Sequence, residues 1–367
     1  MKALHITIHP ASLLVALVLA ASPVAYSAGN FYQQHNLVAD VSIPDVQVDP
    51  NLVNAWGVAF NPNGFVWVAN NHTGTATLYD GLGIKNALEV TIPAAPGSEP
   101  GSTGSPTGIV FSSSNDFAVT NGTATGPSRF IFATEDGVIA GWAPNVDSTH
   151  AIQALATPNT VYKGLALASN GTGNFLYATD FRGGKIDVFD NTFHTANLPG
   201  DFNDPHIPQG FAPFGIQNIG GDLYVTYAKQ DDTKTDDVAG NGLGFVNVFD
   251  ANGHLIRRIA SRGQLNAPWG LALAPAEFGE FSNRLLVGNF GDGAILAFDL
   301  HSGNFVGQLR KPDRHTLKID GLWGLQFGNG ILNQPTGTLF FTAGPDDENH
   351  GLYGRINPVA AGDGTPR

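Results

Sequence analysis

Trp56-Gly57-Val58 is the first of six short segments along this chain in which a glycine opens an apolar strand. The other five are Thr107-Gly108-Ile109, Lys163-Gly164-Leu165, Phe214-Gly215-Ile216, Trp269-Gly270-Leu271 and Trp323-Gly324-Leu325. Successive glycines lie 51, 56, 51, 55 and 54 residues apart. A period in this range fits one four-stranded β unit, and the blades of β-propellers repeat at similar lengths. The sequence therefore predicts six such units.

Within a repeat, the strand signals follow in a constant order. In the first repeat, residues 57–60 precede a turn, and Val66–Asn70, a strand ending at Tyr79-Asp80 and residues 87–90 come after it. Later third strands also end on an aromatic residue followed by Asp, because Asp, Asn and Gly adopt the dihedral angles of hairpin turns. The second repeat is irregular: residues 130–135 match its second strand, which leaves residues 117–120 as an inserted strand.

The last repeat supplies three strands after Gly324, and residues 35–39 form a lone strand ahead of the first repeat. Pairing the two termini removes free sheet edges, which is how propellers avoid edge-to-edge association. We therefore predict an all-β, six-bladed β-propeller with four-stranded antiparallel blades, closed by an N-terminal strand.

Composition limits the partners. The chain has 367 residues, 42% of them hydrophobic and 13% charged, with a net charge of −13 and no cysteine. An acidic chain without a basic run is not expected to bind nucleic acid. The absence of cysteine excludes disulfides and thiol chemistry.

The N-terminus is typical of a secretory signal. Lys2 precedes an apolar run, residues 11–21, that is too short for a membrane span, and small residues precede a cleavage site after Ser27. A retained anchor is the alternative. We predict a signal peptide at 1–27, a single propeller at 28–358, a disordered tail at 359–367, and export to the periplasm or the extracellular space with no transmembrane span in the mature chain.

Several longer motifs carry a family resemblance. They are Asn266-Ala-Pro-Trp-Gly-Leu-Ala272, Leu286-Val-Gly-Asn-Phe-Gly-Asp-Gly293, Gly321-Leu-Trp-Gly-Leu-Gln-Phe-Gly-Asn-Gly330 and Tyr224-Val-Thr-Tyr-Ala-Lys229. The chain resembles an uncharacterised family of exported six-bladed propellers, and is more distantly similar to NHL-repeat and gluconolactonase-type propellers. The resemblance implies the fold and export, and it implies no established activity.

Polar residues end the predicted second strands on one face of the ring. Aligning these strands places Asn70, Glu135, Asp180 and Asn289 at equivalent positions. Four oxygen-bearing side chains around one tunnel mouth suit a hard cation such as Ca²⁺ or Mg²⁺. The alternative is that Asn and Asp occur there because a turn begins.

The residues before the six glycines form a second candidate set. Trp56, Trp269 and Trp323 could make an aromatic platform for a sugar or another flat ligand, or they could fill the space between blades. Lys163 in the same column is either a paired charge near Glu135 and Asp180 or a ligand-binding group.

The segment that resembles the family adds two further ligand-binding candidates, Tyr227 and Lys229. Two acidic loops, residues 230–241 and 346–350, connect second and third strands and are predicted to hang over the same face. Their charge makes that mouth negative, which favours cations.

Two functions remain open from the sequence. One is a protein that binds a small polar ligand, or a protein or cell-surface partner, through the polar face of the ring. The other is a divalent-metal-dependent hydrolase of the lactonase or phosphotriesterase type. The sequence has no nucleophile elbow, zinc helix motif or phosphate loop. Asn54-Ala55-Trp56 also lacks the acid that gluconolactonase-type enzymes place beside the first inner strand.

Overall fold

A computed structural model of the chain describes residues 31–360. The predicted signal peptide lies outside the described residues, as does the predicted tail from residue 361 onward. In the described range, no helix has the length and apolar character needed to cross a membrane.

The described chain is built almost entirely of strands, with one 3₁₀ turn at Gly279–Phe281. In chain order the strands are β1 (Phe31–Ala39), β2 (Gln47–Val48), β3 (Ala55–Phe60), β4 (Val66–Asn70), β5 (Thr75–Tyr79), β6 (Lys85–Thr91), β7 (Pro106–Phe111), β8 (Ala118–Thr120), β9 (Thr125–Pro127), β10 (Phe130–Thr134), β11 (Val138–Trp142), β12 (Ile152–Ala156), β13 (Tyr162–Ser169), β14 (Asn174–Asp180), β15 (Lys185–Phe189), β16 (Phe211–Ile219), β17 (Asp222–Lys229), β18 (Gly244–Phe249), β19 (Leu255–Ser261), β20 (Pro268–Leu273), β21 (Leu285–Asn289), β22 (Ile295–Phe298), β23 (Phe305–Gln308), β24 (Leu322–Phe327), β25 (Leu339–Ala343) and β26 (Leu352–Val359).

These strands form six antiparallel blades, as predicted. Blades one, two, four and five have four strands each: β3 to β6, β7 with β10 to β12, β16 to β19, and β20 to β23. The innermost strand of every blade carries one of the six glycines, so the sequence period corresponds to the blade. The hairpin β8–β9 stands apart from its blade, which confirms the predicted insertion in blade two.

The N-terminal strand closes the ring. In blade six the strand order is β2-β1-β26-β25-β24, and β1 pairs with β26 in a register that places His35 opposite Arg355 and Ala39 opposite Leu352. The closure prediction is therefore confirmed. The short β2 pairs parallel to the end of β1 and makes a fifth strand that the sequence analysis missed.

Blade three departs from the four-stranded prediction. Its sheet contains only β13, β14 and β15, and a single bridge from Phe189 to Thr195 marks where a fourth strand would begin. The chain that follows contains Pro199, Pro205 and Pro208. Proline cannot donate to a strand ladder, so this stretch does not extend into a strand.

The six glycines are needed where neighbouring blades approach each other. A Cβ atom at Gly215 would lie 2.1 Å from the carbonyl oxygen of Trp269, and one at Gly324 would lie 2.8 Å from that of Trp56. At all six glycines the equivalent distance to the next blade's backbone is 2.1–2.9 Å. Any side chain would push adjacent inner strands apart, so the repeated glycine follows from the closeness of the ring.

Threonine hydroxyls tie some of these close contacts together. The Oγ1 of Thr342 accepts a hydrogen bond from the Gly324 N–H and donates to the carbonyl of Trp56 in the next blade. Thr179 makes the same pair of bonds with Gly164 and Phe214. Inside this ring, a narrow cavity of about 30 Å³ is lined by one apolar residue from each blade: Val58, Ile109, Leu165, Ile216, Leu271 and Leu325.

Candidate functional site

Aromatic side chains pack together at one end of the tunnel. Trp56 and Trp323 stack with ring centroids 3.8 Å apart, and Phe290 stacks on Trp323 at 3.9 Å. Phe181 and Phe214 join the same buried cluster. Trp56 and Trp323 are each 1% exposed, so these two predicted platform residues are packed rather than open. Here we call the cluster the aromatic plug.

The third predicted tryptophan lies at the edge of the plug. Trp269 is partly exposed and lies edge-on to Trp323 at 5.8 Å. Its indole N–H donates to the backbone carbonyl of Lys163 at 3.1 Å. Trp269 therefore connects the plug to the strand that carries the lysine.

Lys163 is buried directly against the plug. Its Nζ lies 4.9 Å from the ring centroid of Trp56, 2.6 Å from Glu135 Oε1 and 3.0 Å from Asp236 Oδ1. The side chain is 1% exposed. Burial by itself lowers the pKa of Lys163, but the attraction of the two carboxylates outweighs it and leaves that pKa above the usual value. The ammonium is therefore charged at neutral pH, which makes Lys163 a paired charge.

A third carboxylate, Glu348, is held in place by a chain of hydrogen bonds that begins in the plug. The indole N–H of Trp323 donates to Asn54 Oδ1 at 3.0 Å, and Asn54 Nδ2 donates to Glu348 Oε2 at 2.5 Å. Burial raises the pKa of Glu348; the Asn54 bond and Lys163 oppose this, and Glu135 adds to it. Glu348 thus lies in the same electrostatic environment as the Lys163 pair.

Asp237 completes the group. Burial raises its pKa to about 7, the charge of Lys163 counteracts part of that shift, and the like charges of Glu348 and Asp236 add to it. We call Lys163, Glu135, Asp236, Asp237 and Glu348 the tunnel-mouth cluster. It sets four carboxyl groups against one ammonium.

The predicted metal ligands occupy different places. Glu135 belongs to the tunnel-mouth cluster. Asn70 donates to Thr75 and Thr77, whereas Asp180 accepts from the backbone N–H groups of Gly183 and Val161.

Asn289 is also engaged within its own blade, where it accepts from the Asn266 N–H and donates to the Gln264 carbonyl. Asn70, Asp180 and Asn289 therefore each make hydrogen bonds within their own blades. Across residues 31–360, no three or more His, Asp or Glu side chains are grouped so that they could hold a metal ion.

The tunnel-facing position lies one residue later than the aligned one in three blades. Asn71, not Asn70, donates to Glu135 Oε2 at 2.9 Å, and Phe181 and Phe290, which follow Asp180 and Asn289, belong to the aromatic plug. Successive residues of a strand face opposite sides, so a shift of one residue exchanges the two faces. Glu135 lies on the tunnel side because β10 ends at Thr134, one residue earlier than the aligned position.

The remaining two ligand candidates lie away from the cluster. Tyr227 is buried between blades three and four, where it packs in the same apolar cluster as Phe245. Lys229 is exposed at the end of β17. Between them, Ala228 faces the plug, so strand alternation directs both predicted side chains elsewhere.

Sequence reasoning missed Asn54 and Asn71 as members of the site. It named the acidic loops that carry Asp236, Asp237 and Glu348, but gave them no specific partner. The position of the loops in the sequence could have indicated Lys163 as their partner. Both loops connect second and third strands, and they lie on the face of the ring where the strand of Lys163 begins.

Comparison with known proteins shows the family. No family model matches the chain. The uncharacterized protein R648 of Acanthamoeba polyphaga mimivirus is 36% identical over 329 residues, covering 87% of this chain and 78% of the relative. The chain belongs to the family of this viral protein. A second member is the uncharacterized protein L690 of the same virus. It is 34% identical over 329 residues, an alignment that covers 87% of this chain and 84% of the L690 chain.

Several solved structures have a similar fold. A catalytically inactive virginiamycin B lyase from Staphylococcus aureus with quinupristin superposes with a TM-score of 0.52 at 13% identity, covering 89% of this chain and 99% of the lyase. A streptogramin B lyase superposes with a TM-score of 0.51 at 16% identity, covering 90% of this chain and 98% of the lyase. A glucose dehydrogenase superposes with a TM-score of 0.50 at 12% identity, covering 89% of this chain and 99% of the dehydrogenase. At these identities the likeness shows the propeller fold alone.

Proposed function

We propose that this protein is an exported ligand-binding propeller that captures an organic cation at the tunnel-mouth cluster. Export is proposed from the signal-like residues 1–27. The single observation that carries the binding proposal is the ratio of charges at Lys163, whose one ammonium contacts Glu135 and Asp236 and interacts electrostatically with Asp237 and Glu348.

An excess of carboxylates in a partly desolvated mouth attracts positive charge. Field lines are focused where low-dielectric walls surround charges of one sign, which raises the local concentration of an oppositely charged ligand. The walls here are the aromatic plug, and aromatic faces also attract cations directly. Lys163 itself occupies such a position over Trp56, so the mouth already accommodates one ammonium.

The shape of the mouth supports a ligand that approaches from above the cluster. Asp236 is 69% exposed and Glu135 is 29% exposed, whereas Lys163 is 1% exposed. Carboxylate oxygens thus remain open to solvent on the outer side of the ion pair. An incoming cation can contact them without displacing Lys163.

The test uses spermidine as the probe and the mature protein as the sample. We expect spermidine to raise the melting temperature, and succinate at matched ionic strength to leave it unchanged. A ligand at 100 times its dissociation constant adds about 2.7 kcal/mol to the free energy of unfolding. The gain should shrink as salt is added, since exposed charges are screened.

Two variants locate the binding. Asp236→Asn removes one carboxylate of the cluster and should weaken spermidine binding measured by calorimetry. Asp232→Asn, on the same loop and exposed, is the matched control and should bind as the unaltered protein does. Equal binding by both variants would place the cation elsewhere. Stabilisation by CaCl₂ without any effect of spermidine would instead favour the divalent-metal hydrolase, with Glu135 as a ligand.

A further inference from the structure

The loop of residues 345–350, between β25 and β26, carries Glu348 of the tunnel-mouth cluster in an unfavourable backbone conformation. Asp346, Asp347 and Glu348 have φ angles of 58°, 51° and 66°, three consecutive residues in the left-handed region. Side chains with a Cβ rarely adopt this conformation in succession. Asn54, which binds Glu348, also has a positive φ of 48°. Other contacts must therefore hold the loop closed.

Three side-chain contacts hold the loop: the Asp346 N–H donates to Asp320 Oδ2 at 2.9 Å, and two further contacts involve Glu348 and His350. At one of these two, Glu348 accepts the hydrogen bond from Asn54 at 2.5 Å. At the other, His350 Nδ1 lies 2.8 Å from Asp40 Oδ2, just after the closing strand β1. Both of the latter contacts involve a group that gains or loses a proton. The loop is consequently held in part by bonds whose strength depends on charge.

The groups that face these two anchors come from four blades and the closing strand. Facing Glu348 are Lys163, Glu135, Asp236, Asp237 and, through Asn54, His72. Facing His350 are Asp40 and Asp346, and the Asp320 carboxylate contacts the start of the loop through the Asp346 N–H. The first set contains four carboxylates, counting Glu348, and one permanent cation, so ionisation adds repulsion. The attraction in the second set is stronger while His350 is protonated, because a neutral imidazole keeps only a hydrogen bond to Asp40.

We propose that residues 345–350 form a lid over Lys163 that is closed in mildly acidic solution and opens as the pH rises through neutrality. Ionisation of Asp237 and Glu348 places like charges beneath the lid, and loss of the proton from His350 weakens its bond to Asp40. Both changes act in the same direction. The pKa values of Asp237 and Glu348 are raised by burial, and that of His350 is raised by Asp40. Opening widens access to the cluster, whose Glu135 and Asp236 carboxylates are already partly exposed in the closed form.

This proposal rests on the proposed function only in treating the mouth as the ligand site, and the test needs no ligand. Hydrogen exchange is followed on the mature protein for three lid amides with acceptors inside the loop region. Glu348 donates to the Gly344 carbonyl, Asn349 to Asp346 and His350 to Pro345. Each rate is divided by the intrinsic rate at the same pH, and the amides of Leu285–Asn289 serve as a reference within the core.

We expect protection of the three lid amides to fall by about tenfold or more between about pH 5 and about pH 8. One unit of pKa difference between closed and open states changes the opening equilibrium tenfold. Reference amides should keep their protection. Glu348→Gln, which keeps an acceptor for Asn54 without the charge, should hold the lid protected at the higher pH.

If Glu348→Gln folds poorly, Asp237→Asn is a second variant that removes a charge from the same cluster. Asp232→Asn is the charge control and should show the same lid protection as the unaltered protein. Lid protection that is the same at both pH values overturns the proposal, as does an unchanged pH response in both Glu348→Gln and Asp237→Asn. Spermidine binding measured separately remains informative in either case, so failure of the lid and failure of the cation site are distinguishable.

Discussion

Replacing Lys163 by Met tests whether the tunnel-mouth cluster is held by one buried charge. Methionine keeps an unbranched side chain of similar length against Trp56 and removes the ammonium. Glu135 and Asp236 would then lose their common partner, and Asp237 and Glu348 would lose the charge that moderates their raised pKa values.

The magnitude follows from burial. Removing one partner of a buried ion pair costs about 3–5 kcal/mol, but Glu135 and Asp236 keep 29% and 69% of their side-chain exposure. Water therefore solvates the orphaned carboxylates in part, and we expect a loss of about 2–3 kcal/mol. For domains of 150–250 residues, 1 kcal/mol corresponds to about 2–4 °C in melting temperature, and for a longer chain to less. A decrease of a few degrees is expected.

The assay compares Lys163→Met with Lys185→Met by thermal and urea unfolding at several pH values. Lys185 is 56% exposed and pairs with Asp187, so its replacement should cost less than about 1 kcal/mol. Without Lys163, the carboxyl pKa values in the folded state rise further. An acid with a raised folded pKa stabilises while protonated and loses that contribution as the pH rises, so the Lys163→Met deficit should grow from about pH 5 to about pH 8. Equal losses for both variants, or a deficit that does not change with pH, would refute this account of the cluster.

Four other outcomes can be measured. The pKa of Asp237 is raised to about 7, so the folded protein retains a proton that the unfolded chain releases. The free energy of unfolding should therefore fall from about pH 4 to about pH 7. Asp237→Asn should flatten that slope in urea titrations. Gly215→Ala should destabilise by about 3 kcal/mol or more through backbone overlap, while Gly173→Ala, with no atom closer than 3.7 Å, should stay within about 1 kcal/mol. Tyr32→Ala should cost about 3–5 kcal/mol, because this fully buried ring of the closing strand packs on blade five. Intact mass of exported material should show cleavage after Ser27, and retention of residue 1 would contradict it.

The fold could be predicted because its main constraint is local and repeated. Each inner strand needs a glycine where the next blade's backbone passes, and that requirement recurs once per blade. Closure could be predicted because blade six was one strand short and residues 35–39 had no other partner. Blade three could not be predicted in full, since Phe189-Asp190 signals the end of a third strand but does not say whether a fourth follows.

The candidate site was predicted less well, for a reason that lies in strand geometry. Aligning second strands by their central residue fixes position only to within one residue, and one residue decides which face a side chain occupies. Asn70 and Asn71 illustrate this: the first is bonded inside its blade, and the second reaches Glu135. The contact of Lys163 with Asp236, 73 residues away, depends on how a loop crosses the tunnel mouth. Such a contact produces no periodic pattern in the sequence.

The tunnel-mouth cluster exists only in the closed ring. Its members come from separate blades: Glu135 follows β10 of blade two, Lys163 lies in β13 of blade three, Asp236 and Asp237 follow β17 of blade four, and Glu348 follows β25 of blade six. No single blade holds two opposite charges of the cluster. The closing strand reaches the site directly, because β1 ends at Ala39 and the next residue, Asp40, bonds both the His350 side chain and the Gly351 N–H. Closure of the ring and assembly of the candidate site are therefore one structural event, and loss of the β1–β26 seam should remove both together.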